Sequence, residues 1–121
     1  MFDVSVGIDI VSIPMIRNSI LASDTFIKRW FHPDEWTLGI ESIAARHAAK
    51  EALLKATKGE LIVEPSKVSV RNAQDGSPYF YFSNDISHLA SHLKIALSMS
   101  HTVDYACAIV IVNYMDAGNQ G

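Results

Sequence analysis

Two carboxylates lie where a charge needs a chemical reason. Asp9 falls inside Gly7-Ile8-Asp9-Ile10-Val11, the most apolar strand-like stretch of the chain, where an ionised side chain costs free energy unless something charged pairs with it. Glu51 lies within Arg46-His47-Ala48-Ala49-Lys50-Glu51-Ala52-Leu53-Leu54-Lys55. If that segment is a helix crossing near the end of the strand, the two carboxylates converge. A pair of carboxylates with waters suits Mg²⁺, a hard ion that completes its shell with substrate phosphates. Arg46, Lys50 and Lys55 would then hold anionic oxygens, although the same side chains would also serve as an ordinary solvated face. Ser100-His101-Thr102 places an imidazole between two hydroxyls. That tripeptide suits a phosphate, and equally a turn whose hydroxyls satisfy local backbone groups.

Other chemistries lack their residues. There is no Gly-x-Ser-x-Gly turn to expose a nucleophilic serine, and no Gly-rich phosphate loop of the Walker or Rossmann pattern. His88 and His92 stand four apart but lack an adjacent Glu and a third ligand, which favours an exposed face over a zinc site. Cys107, the single cysteine, sits in the apolar run Ala106 to Val112. It cannot form an intramolecular disulfide, and it is expected to be a buried structural thiol.

The elements that must position these residues can be placed in outline. Val4 to Val11 is β-branched with partial alternation and is expected to be a strand. A short helix should begin at Pro14 and run to Ala22, a second should span Thr25 to Phe31, and Pro33 to Trp36 should add a further turn. Glu41 to Lys58 is dense in Ala, Leu, Lys, Arg and Glu and closes at Gly59, so it is expected to be the principal helix. On a helical wheel its Ala44, Ala45, Ala48, Ala49, Ala52, Leu53 and Ala56 share one half; Arg46, His47, Lys50, Glu51 and Lys55 share the other. Such a methyl-lined half allows close approach to a sheet. Lys67 to Arg71 and Tyr79 to Phe82 flank Asp75-Gly76-Ser77-Pro78 and are expected to form a hairpin. Asp85 to Leu93 is expected to be helical, followed by strands at Ile95 to Ser100 and Tyr105 to Val112. The expected fold is α+β, a largely antiparallel sheet with one long helix packed on it.

Composition sets the outer limits. The chain has 121 residues, ten Lys plus Arg against thirteen Asp plus Glu, and 49% hydrophobic residues. This suits one domain, expected over residues 1–114, with a polar tail at 115–121. A core of this size encloses little, so a site on a rim or between copies is easier to build than a deep pocket. The net charge of −3 argues against a nucleic-acid partner. No apolar run approaches a membrane span, and no basic segment precedes the first apolar stretch; the expected location is the cytoplasm.

Three segments, in order, carry a resemblance. Gly7-Ile8-Asp9-Ile10-Val11, Ala44 through Ala56 with its Lys50-Glu51 step, and Ser98-Met99-Ser100-His101-Thr102 followed by Tyr105-Ala106-Cys107-Ala108 together resemble the 4′-phosphopantetheinyl transferase superfamily. Phe26 to Phe31 with Glu35, and Asp75 to Pro78, extend the likeness over nearly all but the tail. The resemblance implies a Mg²⁺-dependent transfer of the 4′-phosphopantetheine arm of coenzyme A to a serine of an acyl carrier protein, with release of adenosine 3′,5′-bisphosphate. It implies that Asp9 and Glu51 hold the metal, that Lys55 and His101 contact phosphate oxygens, and that Arg46, Lys50 and Thr102 help hold the nucleotide and its 3′-phosphate. It also implies a homotrimer with coenzyme A between neighbouring copies. The chain departs from the family pattern in reading Ser12, Ile13, Pro14 and Met15 where Glu, Ile and then an Arg two residues later are usual. Lys58-Gly59-Glu60 stands where Gly-Thr-Gly is common, and Leu54 replaces a small polar residue. The missing Arg, which in the family grips the carrier's acidic face, motivates an alternative: a non-catalytic trimeric module that binds coenzyme A or another nucleotide.

Overall fold

The computed structural model describes Asp3 to Met115. Its elements run β1 (Val4–Ser12), α1 (Ile13–Ala22), α2 (Asp24–Trp30), α3 (Ile40–Ala56), β2 (Val68–Asn72), β3 (Pro78–Phe82), β4 (Leu93–His101) and β5 (Tyr105–Tyr114), with 3₁₀ turns at Pro33–Glu35, Pro65–Lys67 and Ser87–Ala90. The α+β class stands as expected. The strands form two antiparallel sheets: three strands in the order β1-β5-β4, and the β2-β3 hairpin. Of the expected tail, 116–121 lie outside the described residues, as do Met1 and Phe2. Met115 N still donates to the His92 carbonyl at 2.9 Å.

Local chemistry explains the boundaries. Ser12 caps α1 by accepting from Met15 N at 3.3 Å, Pro14 stands in the first turn, and Ser23 caps α2 through Thr25 N. α3 ends where Lys58 and Gly59 both take positive φ, 55° and 75°, and Gly59 N returns to the Leu54 carbonyl. The helix expected over Asp85 to Leu93 is only the 3₁₀ turn Ser87–Ala90. There the Ser87 and Ser91 hydroxyls donate to the Asn84 and His88 carbonyls, which competes with helical pairing. Asp85 pairs with Lys67.

The long helix lies on one face of the three-stranded sheet through its methyl side. Ala48, Ala49, Ala52, Leu53 and Ala56 pack with Ala108, Val110 and Val112 of β5, and Ala44 and Ala45 pack with Ile13, Ile16, Phe31 and Ala106. The tightest approach is at Gly7. A Cβ there would stand 2.0 Å from the Ala52 carbonyl oxygen and 2.6 Å from Ala56 N, so only glycine lets β1 lie this close to α3.

The polar side of α3 is divided. Glu35 is 1% exposed; its carboxylate accepts from Lys50 Nζ at 2.5 Å, from His32 N at 2.9 Å and from Val70 N at 2.9 Å. Lys50 also donates to the Trp30 and Pro65 carbonyls. Arg46 donates to the Val70 and Ser42 carbonyls and to Asn72 Oδ1. Burial pulls the Lys50 ammonium below its ordinary range, against the opposing pull of Glu35. One turn away His47 packs on Trp30, ring centroids 4.5 Å apart, and on Phe26 at 5.8 Å. Its Nδ1 is buried without a partner. Burial lowers its pKa below the ordinary value near 6.5, with Asp9 pulling the other way.

Two outcomes follow from this packing. Gly7→Ala should destabilise the chain by about 3 kcal/mol, because the added methyl meets helix backbone rather than a mobile side chain; chemical denaturation measures it, and a loss below about 1 kcal/mol would mean the strand and helix are not in contact here. His47 resists the proton in the folded state, so its contribution to stability is present above about pH 6.5 and is lost as pH falls below that value. His47→Phe keeps the aromatic packing and removes the proton site. Thermal melts at pH 7.5 and 5.5 should therefore differ less for His47→Phe than for the parent chain.

Candidate functional site

β1 and α3 bring three of the expected residues together. Asp9 alternates with the outward Ile8 and Ile10 and so faces the helix side of the sheet. Lys55 Nζ donates to Asp9 Oδ1 at 2.8 Å and to the Ile8 carbonyl at 3.0 Å. That hydrogen bond raises the Lys55 pKa. Glu51, one turn before Lys55, has a raised carboxyl pKa, first from partial burial and then from the Asp9 charge, with Lys55 offsetting part of it. Glu51 therefore feels the Asp9 charge across the gap between strand and helix.

This donor set fits the metal that the family resemblance implies. Two carboxylates whose repulsion only one ammonium relieves favour a divalent cation, and their oxygens suit Mg²⁺, which commonly takes one or two carboxylates and leaves its other positions to water and phosphate. Among the described residues no group of three or more His, Cys, Asp or Glu gathers.

Arg46 and Lys50 require correction. They were expected beside Glu51 and Lys55 as one charged surface for the nucleotide and its 3′-phosphate, but both point into the protein, their side chains 8% and 4% exposed. Lys50 has three N–H groups, and Trp30, Glu35 and Pro65 take all three. No donor remains for a phosphate. A wheel cannot separate these two from Glu51 and Lys55, because the division comes from what packs on each side. Glu35 was named only as part of the resemblance; its role as the buried partner of Lys50 was missed, although two cations on a packed helix need a nearby acid.

His101 and Thr102 lie elsewhere. Asp9 on β1 pairs with Ala108 of β5, which pairs with Met99 of β4, so Asp9 and His101 occupy opposite edge strands of the sheet. His101 is exposed at the end of β4 beside a cavity of about 120 Å³ that is also lined by Ile10, Ser100, Thr102 and Tyr105. The Thr102 hydroxyl accepts from Tyr105 N at 3.1 Å and Asp104 N at 3.3 Å. It closes the turn, the structural role left open above. Cys107 is half-buried on the outward face, paired with Ile10 and Ser100, not enclosed in the core as expected.

Two further cavities lie along α3 and past its end. A cavity of about 90 Å³ beside Glu51 is lined by Trp30, Leu54, Leu61, Val63 and Pro65. Leu54, a departure from the family pattern, is part of that apolar wall. A cavity of about 320 Å³ beyond the C-terminal end of α3 is bounded by Thr57, Glu60, Leu61, His92, Leu93 and Tyr114, none of them an expected site residue.

Known proteins share this fold and about a third of the sequence. The holo-[acyl-carrier-protein] synthase of Clavibacter michiganensis is 33% identical over 109 residues, covering 88% of this chain and 92% of that protein. Two solved structures align closely. The ACPS–CoA complex of Chronobacterium ammoniagenes has a TM-score of 0.78 at 25% identity, covering 93% of this chain and 98% of that one. The Helicobacter pylori holo-[acyl-carrier-protein] synthase in complex with coenzyme A has a TM-score of 0.75 at 27% identity, covering 88% and 98%. Residues 5–110 match the model of the 4′-phosphopantetheinyl transferase superfamily, a span that holds Asp9, Glu51, Lys55 and His101 alike, and to that superfamily the chain belongs.

Proposed function

We propose that this chain is a holo-[acyl-carrier-protein] synthase: it transfers the 4′-phosphopantetheine arm of coenzyme A to a serine of an acyl carrier protein and releases adenosine 3′,5′-bisphosphate. The observation that carries this is the convergence of Asp9, Glu51 and Lys55 between β1 and α3, with Lys55 Nζ 2.8 Å from Asp9. In the reaction the serine Oγ bonds to the phosphorus bearing the pantetheine arm as that phosphorus releases the bisphosphate oxygen. The serine proton leaves to a base. Phosphoryl transfer of this kind asks a protein mainly for positioning and for positive charge near the developing negative charge. Asp9 and Glu51 would hold Mg²⁺ or Mn²⁺, which when bound neutralises charge on the diphosphate. Lys55 supplies an ammonium to a phosphate oxygen. The unit is a single transferase domain over residues 1–114, acting in the cytoplasm in fatty-acid synthesis; no helix among the described residues is long and apolar enough to cross a membrane.

The site requires a second copy to be complete. His101 and Thr102 stand on the edge strand opposite Asp9, an arrangement that suits a site shared between copies. The outer face of the three-stranded sheet supports their meeting across an interface. Val6, Ile8 and Ile10 of β1 are 59%, 64% and 66% exposed, and Ile109 and Ile111 of β5 are exposed beside them. A contiguous aliphatic face of this kind marks an interaction surface, and a homotrimer closing over it would bring His101 and Thr102 of one copy to the carboxylates of the next.

The non-catalytic alternative has one observation in its favour. Ser12 serves as a helix cap, and Met15, 69% exposed, offers no charge to a carrier. The two are separated by mass. Purified protein with Mg²⁺ and coenzyme A should add about 340 Da to a carrier protein, the mass of the group transferred, and Asp9→Ala or Glu51→Ala should reduce the rate by at least about a hundredfold. Coenzyme A binding without any mass gain across fatty-acid and polyketide carriers would select the alternative. Assembly is tested independently by light scattering: three chains per particle for the parent, and smaller particles for Ile8→Asp, whose side chain lies on the exposed face. Unchanged assembly after Ile8→Asp would exclude this face as the contact.

A further inference from the structure

Lys55 and a divalent cation have competing claims on one carboxylate. The Lys55 ammonium stands 2.8 Å from Asp9 Oδ1 and 3.0 Å from the Ile8 carbonyl oxygen, where a cation bound by Asp9 would meet it. Two positive charges cannot share that oxygen at contact distance without strong repulsion. The neighbouring cations cannot take over: Lys50 has all three donors satisfied inside the protein, and Arg46 is held by Val70 and Asn72. Lys55 can move. Its side chain is 55% exposed, whereas that of Asp9 is 16% exposed on a paired strand, so the ammonium can swing away without unpacking either element.

We propose, resting on the assignment of Asp9 and Glu51 to the metal, that Lys55 is the resident counter-ion of Asp9 in the ligand-free protein, and that it is exchanged for the metal as its ammonium passes to the coenzyme A diphosphate. Displacing Lys55 without a diphosphate to receive it leaves the ammonium unpaired and weakens metal binding. With coenzyme A present the ammonium gains a phosphate oxygen as it loses Asp9. Metal and coenzyme A therefore bind with positive coupling through this side chain, and by linkage each strengthens the other equally. No bond is made or broken in this exchange.

The test is metal affinity, not turnover. Mn²⁺ binding is followed by the electron paramagnetic resonance signal of the free ion, with Mg²⁺ as competitor, for the parent chain, Lys55→Met, Lys55→Arg and Lys58→Gln, each with and without coenzyme A. Without coenzyme A, Lys55→Met should bind Mn²⁺ about fivefold more tightly than the parent, the upper end of what releasing one partly exposed ion pair gives. Lys55→Arg, which keeps the charge, should stay near the parent value. Lys58→Gln reports the effect of removing one nearby positive charge and should shift affinity less than about threefold. With coenzyme A present the order should invert, Lys55→Met becoming the weaker binder. Equal affinity of Lys55→Met and the parent, a shift no larger than that of Lys58→Gln, or equal tightening with and without coenzyme A would each overturn the exchange while leaving the metal assignment intact. Failure of the parent to bind Mn²⁺ even with coenzyme A would overturn the assignment of Asp9 and Glu51, and the exchange with it.

Discussion

Everything at the site depends on how closely β1 can lie against α3. Gly7 faces the Ala52 carbonyl with no room for a methyl group, and the helix answers with methyls at 44, 45, 48, 49, 52 and 56. Larger residues on either side would lift the helix away from the sheet by the thickness of a side chain. Asp9, two residues after Gly7, would then lose the reach of Lys55. Sequence, packing and chemistry are tied at this point: small residues that contribute little hydrophobic burial themselves set the distance between a strand carboxylate and two helix side chains.

The buried acid Glu35 sets the other boundary. It joins the Pro33–Glu35 turn to α3 through Lys50 and to β2 through Val70 N. A buried ion pair is weak evidence for net stability, since desolvation offsets most of the attraction. Its geometric effect is firmer. With Lys50 and Arg46 committed to Glu35, the Pro65 turn and the hairpin, Lys55 is the helix cation that pairs with Asp9.

How far the sequence disclosed this differs from element to element. The long helix, the hairpin about Asp75 to Pro78, and β4 and β5 were legible because their periodicity is local and their turn residues are specific. The segment after Asn84 was misread as a helix because its serines bond to nearby carbonyls and Asp85 is drawn to Lys67, 18 residues away. Asp9, Glu51 and Lys55 were legible as a set, since carboxylates on a packed strand and helix leave few explanations. Arg46 and Lys50 were misplaced because a helical wheel shows which residues share an arc but not what covers it, and Glu35, the residue that covers them, is distant in sequence. The separation of His101 from Asp9 depends on strand order, which no local pattern encodes.

That separation and the internal use of two cations lead to one electrostatic conclusion. Asp9, Glu51 and Lys55 together carry net negative charge, so a single chain presents a diphosphate with a site that repels it. A divalent cation on the carboxylates reverses the local sign, and a neighbouring copy can add the His101 and Thr102 turn from its own sheet edge. The aliphatic outer face of that sheet is continuous with this edge through Ile10, Cys107 and Ser100, which pair in one row across β1, β5 and β4. In a chain with so small a core, the same contact that covers exposed aliphatic surface would also bring further hydrogen-bonding groups to the site.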